Sequence, residues 1–227
     1  MLILLLLIAD SPQSEPLRVK RPIVHNTFMV AVEPNQIITV DSFPTPGINR
    51  PAVILIPAEG EQQSDWVELA KLFQSYGLTA ILCRTYERSF SSSDLQPLLL
   101  EIRHRLPLEA QVSPYRIAYL GSQESFSSAI MAGRGPVGNV RAMVGLSPLA
   151  TIDGQPLLKP LSNLTATDLL LVTSSQDQPG LRTVATLEAT CHHCATRSVD
   201  AIGRGVQLTH RDPSTALEIV SWLKALL

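Results

Sequence analysis

Short apolar runs alternate with stretches of helical spacing along most of this chain, and that alternation restricts its fold more than any other feature. Residues 53–56 (Val-Ile-Leu-Ile) are wholly apolar, as a strand covered on both faces requires. Residues 64–76 follow, with Trp66, Leu69, Ala70 and Phe73 on one face and Gly77 as the stop. The spacing predicts further strands over 79–83, 116–120, 142–146, 169–172 and 196–201, and further helices over 94–104, 126–132, 181–189 and 213–227. Ahead of them, 24–32 and 37–41 flank Pro34-Asn35 and read as a β-hairpin. Such alternation predicts an α/β domain with a mostly parallel central sheet, right-handed crossovers and helices on both faces. The one interruption, 147–168, carries Pro148, Pro156 and Pro160 and no long helical stripe. In an α/β sheet, an excursion of that kind sits above the strand ends, where ligands bind.

Composition narrows the partners. The chain has 227 residues, of which 17% are charged, and a formal net charge of −2 with no block of basic residues. That excludes nucleic acid as the main partner. The length suits one domain, assigned to 23–227, preceded by a hydrophobic N-terminal segment and linker over 1–22. Residues 1–8 form an apolar run too short to span a bilayer, so no stable membrane span is expected. The run resembles the apolar stretch of a signal peptide but lacks a basic start and a clear cleavage site. It fits either an exported chain or a cytoplasmic one with a hydrophobic extension.

Several strings, in their order, resemble the α/β-hydrolase family: serine esterases, lipases and dienelactone hydrolases. The hairpin precedes a buried strand, Pro51-Ala-Val-Ile-Leu-Ile56; Arg116-Ile-Ala-Tyr-Leu-Gly121 runs into a helix; Leu169-Leu-Leu-Val-Thr-Ser-Ser-Gln-Asp177 ends in an acid; and Thr209-His210-Arg211-Asp212-Pro213 precedes an amphipathic C-terminal helix. The resemblance implies an α/β-hydrolase fold without a large cap. It also implies a nucleophile elbow, Gly-x-Ser-x-Gly in the family, at Gly121-Ser122-Gln123-Glu124-Ser125. Gln123 then occupies the nucleophile position, with Asp177 and His210 as the remaining triad positions. A carboxamide is neutral and nearly non-nucleophilic, and no base activates it as it would a hydroxyl. Glu124 and Glu59 fall at the two oxyanion-donor positions, where their carboxylates bring negative charge to a place that wants positive potential. Ser122 and Ser125 are the alternative nucleophiles, although small-residue packing at a tight turn accounts for both.

Cys191-His192-His193-Cys194 contains metal-ligating residue types, but four consecutive residues do not easily close a tetrahedron around one ion. No metal is therefore expected, and no cofactor. A local Cys191–Cys194 disulfide is the chemistry the pair allows if the chain is exported.

The reading these residues support is a degenerate α/β-hydrolase-fold protein, weak or lacking in hydrolysis, that binds a small molecule or a protein at the relic pocket. The alternative is an active carboxylic-ester hydrolase that uses Ser122 or Ser125 with Asp177 and His210. A redox or metal module built on Cys191 and Cys194 ranks third.

Overall fold

In a computed structural model, the described residues are 25–227 except 34–35, 88–89, 136–137, 150, 153–154, 157–160, 162–163 and 192. The apolar run over 1–8, the linker over 11–22 and the turn at Pro34-Asn35 lie outside them.

Eight strands form one sheet. They are β1 (Asn26–Glu33), β2 (Gln36–Phe43), β3 (Arg50–Ile56), β4 (Thr79–Cys83), β5 (Val112–Ser122), β8 (Ala142–Leu146), β11 (Asp168–Ser174) and β12 (Cys194–Val199). Their spatial order is β1-β2-β4-β3-β5-β8-β11-β12. The hairpin strands β1 and β2 pair antiparallel with each other, and β2 pairs antiparallel with β4. From β4 to β12 every pairing is parallel. The two-residue strands β6 (Arg134–Gly135), β7 (Gly138–Asn139), β9 (Thr151–Ile152) and β10 (Gln155–Pro156) form two small ribbons beside the sheet. The second ribbon lies in the predicted excursion, and no large cap covers the strand ends among the described residues.

Alternating residues of the buried strands feed two separate cores. Ala52, Ile54 and Ile56 of β3 join one, and Val53 and Leu55 join the other. The first core lies under α2 (Ser92–Glu109), α3 (Gln123–Ala132) and α4 (Gln178–Glu188), through residues such as Leu98, Phe126 and Leu187. The second lies under α1 (Gln63–Ser75) and α6 (Pro213–Leu226), through Trp66, Phe73, Ile219 and Leu223. Period-2 burial on both faces explains why β3, β4 and β8 read as continuous apolar runs.

Most elements differ from their predicted extents by a few residues at one or both ends. Helix α2 begins earlier than its apolar stripe, because the Ser91 hydroxyl accepts from the Asp94 N–H at 3.2 Å and caps the first turn. His210, which the resemblance implies in a catalytic-histidine loop over 209–213, stands instead in a short helix, α5 (Gln207–Arg211). Cys191 and Cys194 are joined in a disulfide at the turn between α4 and β12. Among the described residues, no group of His, Cys, Asp and Glu is arranged to hold a metal, and no helix is long and apolar enough to cross a membrane.

Candidate functional site

Strand β5 ends at Ser122 and α3 starts at the next residue, Gln123. Gln123 has φ 49°, a left-handed conformation that costs a non-glycine residue energy and that folds retain where a turn demands it. Gly121 makes the turn possible. A Cβ there would stand 2.6 Å from the Phe126 Cα and 2.7 Å from its nitrogen, so only glycine lets α3 pack this close to the strand. Gln123 is partly exposed at the elbow, and Glu124 is exposed.

The two flanking serines are committed elsewhere. Ser122 is fully buried, and its hydroxyl donates to Glu61 Oε1 at 2.7 Å. Ser125 is 5% exposed and donates to the Pro57 carbonyl at 2.7 Å. The same carbonyl accepts from Thr85 Oγ1 at 2.6 Å, which pins the loop after β3 to the elbow.

Glu61, which periodicity does not single out, is the hub of that loop. One of its oxygens accepts from the Ala58 N–H at 2.8 Å and the Trp66 indole N–H at 3.0 Å. The other accepts from Ser122 and, at 3.1 Å, from the Val206 N–H. Burial raises the Glu61 carboxyl above its ordinary value, and the four donors offset only part of that. The Glu59 N–H donates to Glu124 Oε1 at 3.3 Å. Backbone donors on the loop after β3 are thus already occupied by carboxylates of the chain itself. Beside Glu59 and Glu124, which the bond from the Glu59 N–H joins at the turn, a third acid, the half-buried Glu61, lies against Ser122.

Asp177 follows β11 and is 7% exposed. Its carboxylate caps α4 by accepting from the Gly180 N–H at 3.3 Å, and it takes a second bond from Arg204 Nη2 at 2.7 Å. His210 does not join it. The imidazole lies against α1 instead, with Nε2 3.2 Å from the Asp65 carbonyl and Nδ1 3.4 Å from Glu68 Oε2. The physical reason is placement: His210 belongs to α5, whereas the loop that passes over the elbow comes earlier, at 203–206. Gly205 has φ 57°, and its N–H donates to Ser147 Oγ at 3.1 Å. A Cβ at Gly205 would collide with Glu61 Oε1 and Ser122 Oγ. Glycine there lets the backbone lie directly on the Glu61–Ser122 pair, and it carries Arg204 to the site. The only signal of this in the sequence is Gly203-Arg204-Gly205 shortly after the last strand, a string that reads simply as a turn.

A cleft of about 290 Å³ opens at this point. Glu59, Glu61, Asp65, Gln123, Arg204 and Gln207 are among its walls, while Ser122, Ser125 and His210 are not. The walls are rich in carboxylates and carboxamides, with one guanidinium. They offer hydrogen bonds and charge to a polar ligand.

No family model matches the chain, and no curated protein matches it in sequence. Solved structures do match. The dienelactone hydrolase from Anabaena variabilis ATCC 29413 superposes with a TM-score of 0.73 over 90% of this chain and 99% of that one, at 15% identity. The α/β hydrolase GrgF from Penicillium sp. sh18 gives 0.75 over 90% and 99%, at 12% identity. The esterase domain of a Rhodothermus marinus protein gives 0.69 over 88% and 98%, at 13% identity. This chain has the α/β-hydrolase fold.

Proposed function

We propose that the protein uses the α/β-hydrolase fold to bind rather than to hydrolyse. In this reading Gln123, Arg204 and Asp177 stand at the nucleophile, base and acid positions of a Ser-His-Asp triad. The observation that carries it is Gln123 itself, held at φ 49° on the strand-to-helix turn where such a fold presents its nucleophile.

Two further features support it. Arg204 is the side chain that both bonds Asp177 and lines the cleft with Gln123. A guanidinium stays charged at any ordinary pH, so it cannot take a proton from a hydroxyl as an imidazole does. The Ala58 and Glu59 N–H groups, in the loop where the second oxyanion donor belongs, already serve Glu61 and Glu124. The ligand of such a cleft is a small polar molecule or a polar protein segment that accepts hydrogen bonds from Gln123 and Arg204 and donates to the acids around them.

The rival reading, an ester hydrolase of the kind its structural neighbours are named for, needs Ser122 or Ser125 as nucleophile. Burial and the occupied hydroxyls disfavour both. A fluorophosphonate probe and a panel of aryl esters separate the two readings. The expected result is no labelling and no turnover by the purified chain. Labelling that disappears with Ser122→Ala or Ser125→Ala overturns the binding reading in favour of hydrolysis.

A further inference from the structure

We propose that Cys191 and Cys194 form a redox-active dithiol–disulfide site that exchanges electrons with an external dithiol, independently of the cleft at Gln123. The pair is joined across a sequence separation of 3. A bridge that closes so short a loop removes little freedom from the unfolded chain, so it contributes little as a structural staple.

The turn does not need the bridge. The Cys191 N–H donates to the Leu187 carbonyl at 3.1 Å and holds the end of α4. The Leu169 N–H donates to the His193 carbonyl at 2.8 Å, and Cys194 is paired in register with Leu169 of β11. Backbone hydrogen bonds therefore hold both ends of the motif, and opening the sulfur bond leaves them in place. Both cysteines are partly exposed, next to the exposed His193, at the turn that leads into β12, the strand at one edge of the sheet. The third cysteine does not compete: Cys83 is fully buried, and burial pushes its thiol well above the ordinary range.

Position also sets the direction of exchange. The pair follows the C-terminal end of α4, where the helix dipole disfavours thiolates. The reduced form is not stabilised as it is in a motif placed at a helix N-terminus, so the pair favours the disulfide. A dithiol, rather than a monothiol, is the fitting reductant. One thiolate of the reductant attacks a cysteine sulfur, forming a mixed disulfide and releasing the other cysteine as a thiolate that takes up a proton. The second thiol of the reductant then attacks its own sulfur in the mixed disulfide. That closes the reductant's disulfide and frees the second cysteine. Two electrons and two protons pass to the protein.

The test equilibrates the full chain in buffers of reduced and oxidised dithiothreitol, quenches it in acid, alkylates it with N-ethylmaleimide and reads intact mass. The expected result is a single transition that adds two alkylated cysteines to whatever label Cys83 carries, reached from either direction without denaturant. Far-UV circular dichroism is unchanged, and the melting temperature falls by no more than about 8 °C. Cys83→Ala leaves the transition where it was, and at least one of Cys191→Ser and Cys194→Ser takes up glutathione from oxidised glutathione. The proposal is overturned by a bond that opens only in denaturant, by thiols that stay open at the oxidised end, by loss of structure on reduction, or by two single variants that both refuse glutathione.

Discussion

Arg204 Nη2 lies 2.7 Å from Asp177 Oδ1, and the same arginine lines the cleft with Gln123. A cation therefore holds the acid just after β11, while His210 lies against α1 and is not among the residues that line the cleft. This relationship gives the binding reading its sharpest consequence.

Replacing Gln123 by serine supplies a hydroxyl but no base. Gln123→Ser alone is expected to leave aryl-ester turnover at the background rate. Adding Arg204→His should raise initial rates by at least about 10²-fold over the single variant, because the imidazole can now take the proton. Asp177→Asn should abolish that gain, and His210→Ala should leave it intact. If His210→Ala abolishes turnover and Arg204 proves dispensable, the assignment of positions is wrong.

Glu61 ties four segments together, so truncating it is expected to leave donors of Ala58, Trp66, Ser122 and Val206 without their acceptor. Glu61→Ala should cost about 2–4 kcal/mol, since buried donors lose their partners and water replaces only some of them. Glu61→Gln should cost less, because one oxygen still accepts. Urea midpoints of the two variants check the order; equal, near-zero losses would show that the hub carries no stability.

Gly121 and Gly205 are expected to resist substitution for different reasons. Gly121→Ala drives a Cβ into the Phe126 backbone, which is 2.6 Å away and cannot swing aside as a side chain can. Helix α3 has to move, at a cost of about 1–3 kcal/mol. Gly205→Ala meets both strain at φ 57° and the Glu61–Ser122 pair. It should displace the loop that carries Arg204. Thermal melts and the chemical shifts of the Arg204 side chain measure the two effects; unchanged Arg204 signals in Gly205→Ala would contradict the second.

Away from the cleft, Asp41 is 1% exposed and should set part of the acid sensitivity of the fold. Burial alone would raise its carboxyl, but hydrogen bonds from Arg84, Thr27 and His25 hold it below the ordinary 3.8. A lowered folded value means that the stabilisation is present above pH 3.8 and is lost as pH falls through the folded value. Asp41→Asn should therefore be less stable than the parent at neutral pH, and the gap should narrow below pH 3.8. Urea midpoints across pH 2–7 follow it. A gap that is constant with pH would mean that the charge on Asp41 does not contribute.

Most of the scaffold was readable from local pattern. The all-apolar run 53–56 is a strand with one core on each face, and Trp66, Leu69, Ala70 and Phe73 do face inward from α1. The turn after Gly121 lies where the string predicts it, because a glycine there is a local steric requirement. The placement of His210 was not readable. A histidine ahead of the C-terminal helix has the same local signature in a loop as on α5, and only packing against Asp65 and Glu68 distinguishes them. Glu61 was equally silent: one acid in a loop has no periodicity, and Val206, one of its four partners, lies 145 residues along the chain.

By itself, then, the sequence determined the alternation of strands and helices, the two-sided burial of the sheet and the tight strand-to-helix turn after Gly121. Each depends on residues within a few positions of one another, through side-chain period or a single steric contact. Tertiary structure alone decided which side chain Asp177 holds, which carboxylate lies beneath the elbow and which residues form the cleft. Those choices depend on where loops separated by tens of residues come to rest over the strand ends, and no local spacing records that.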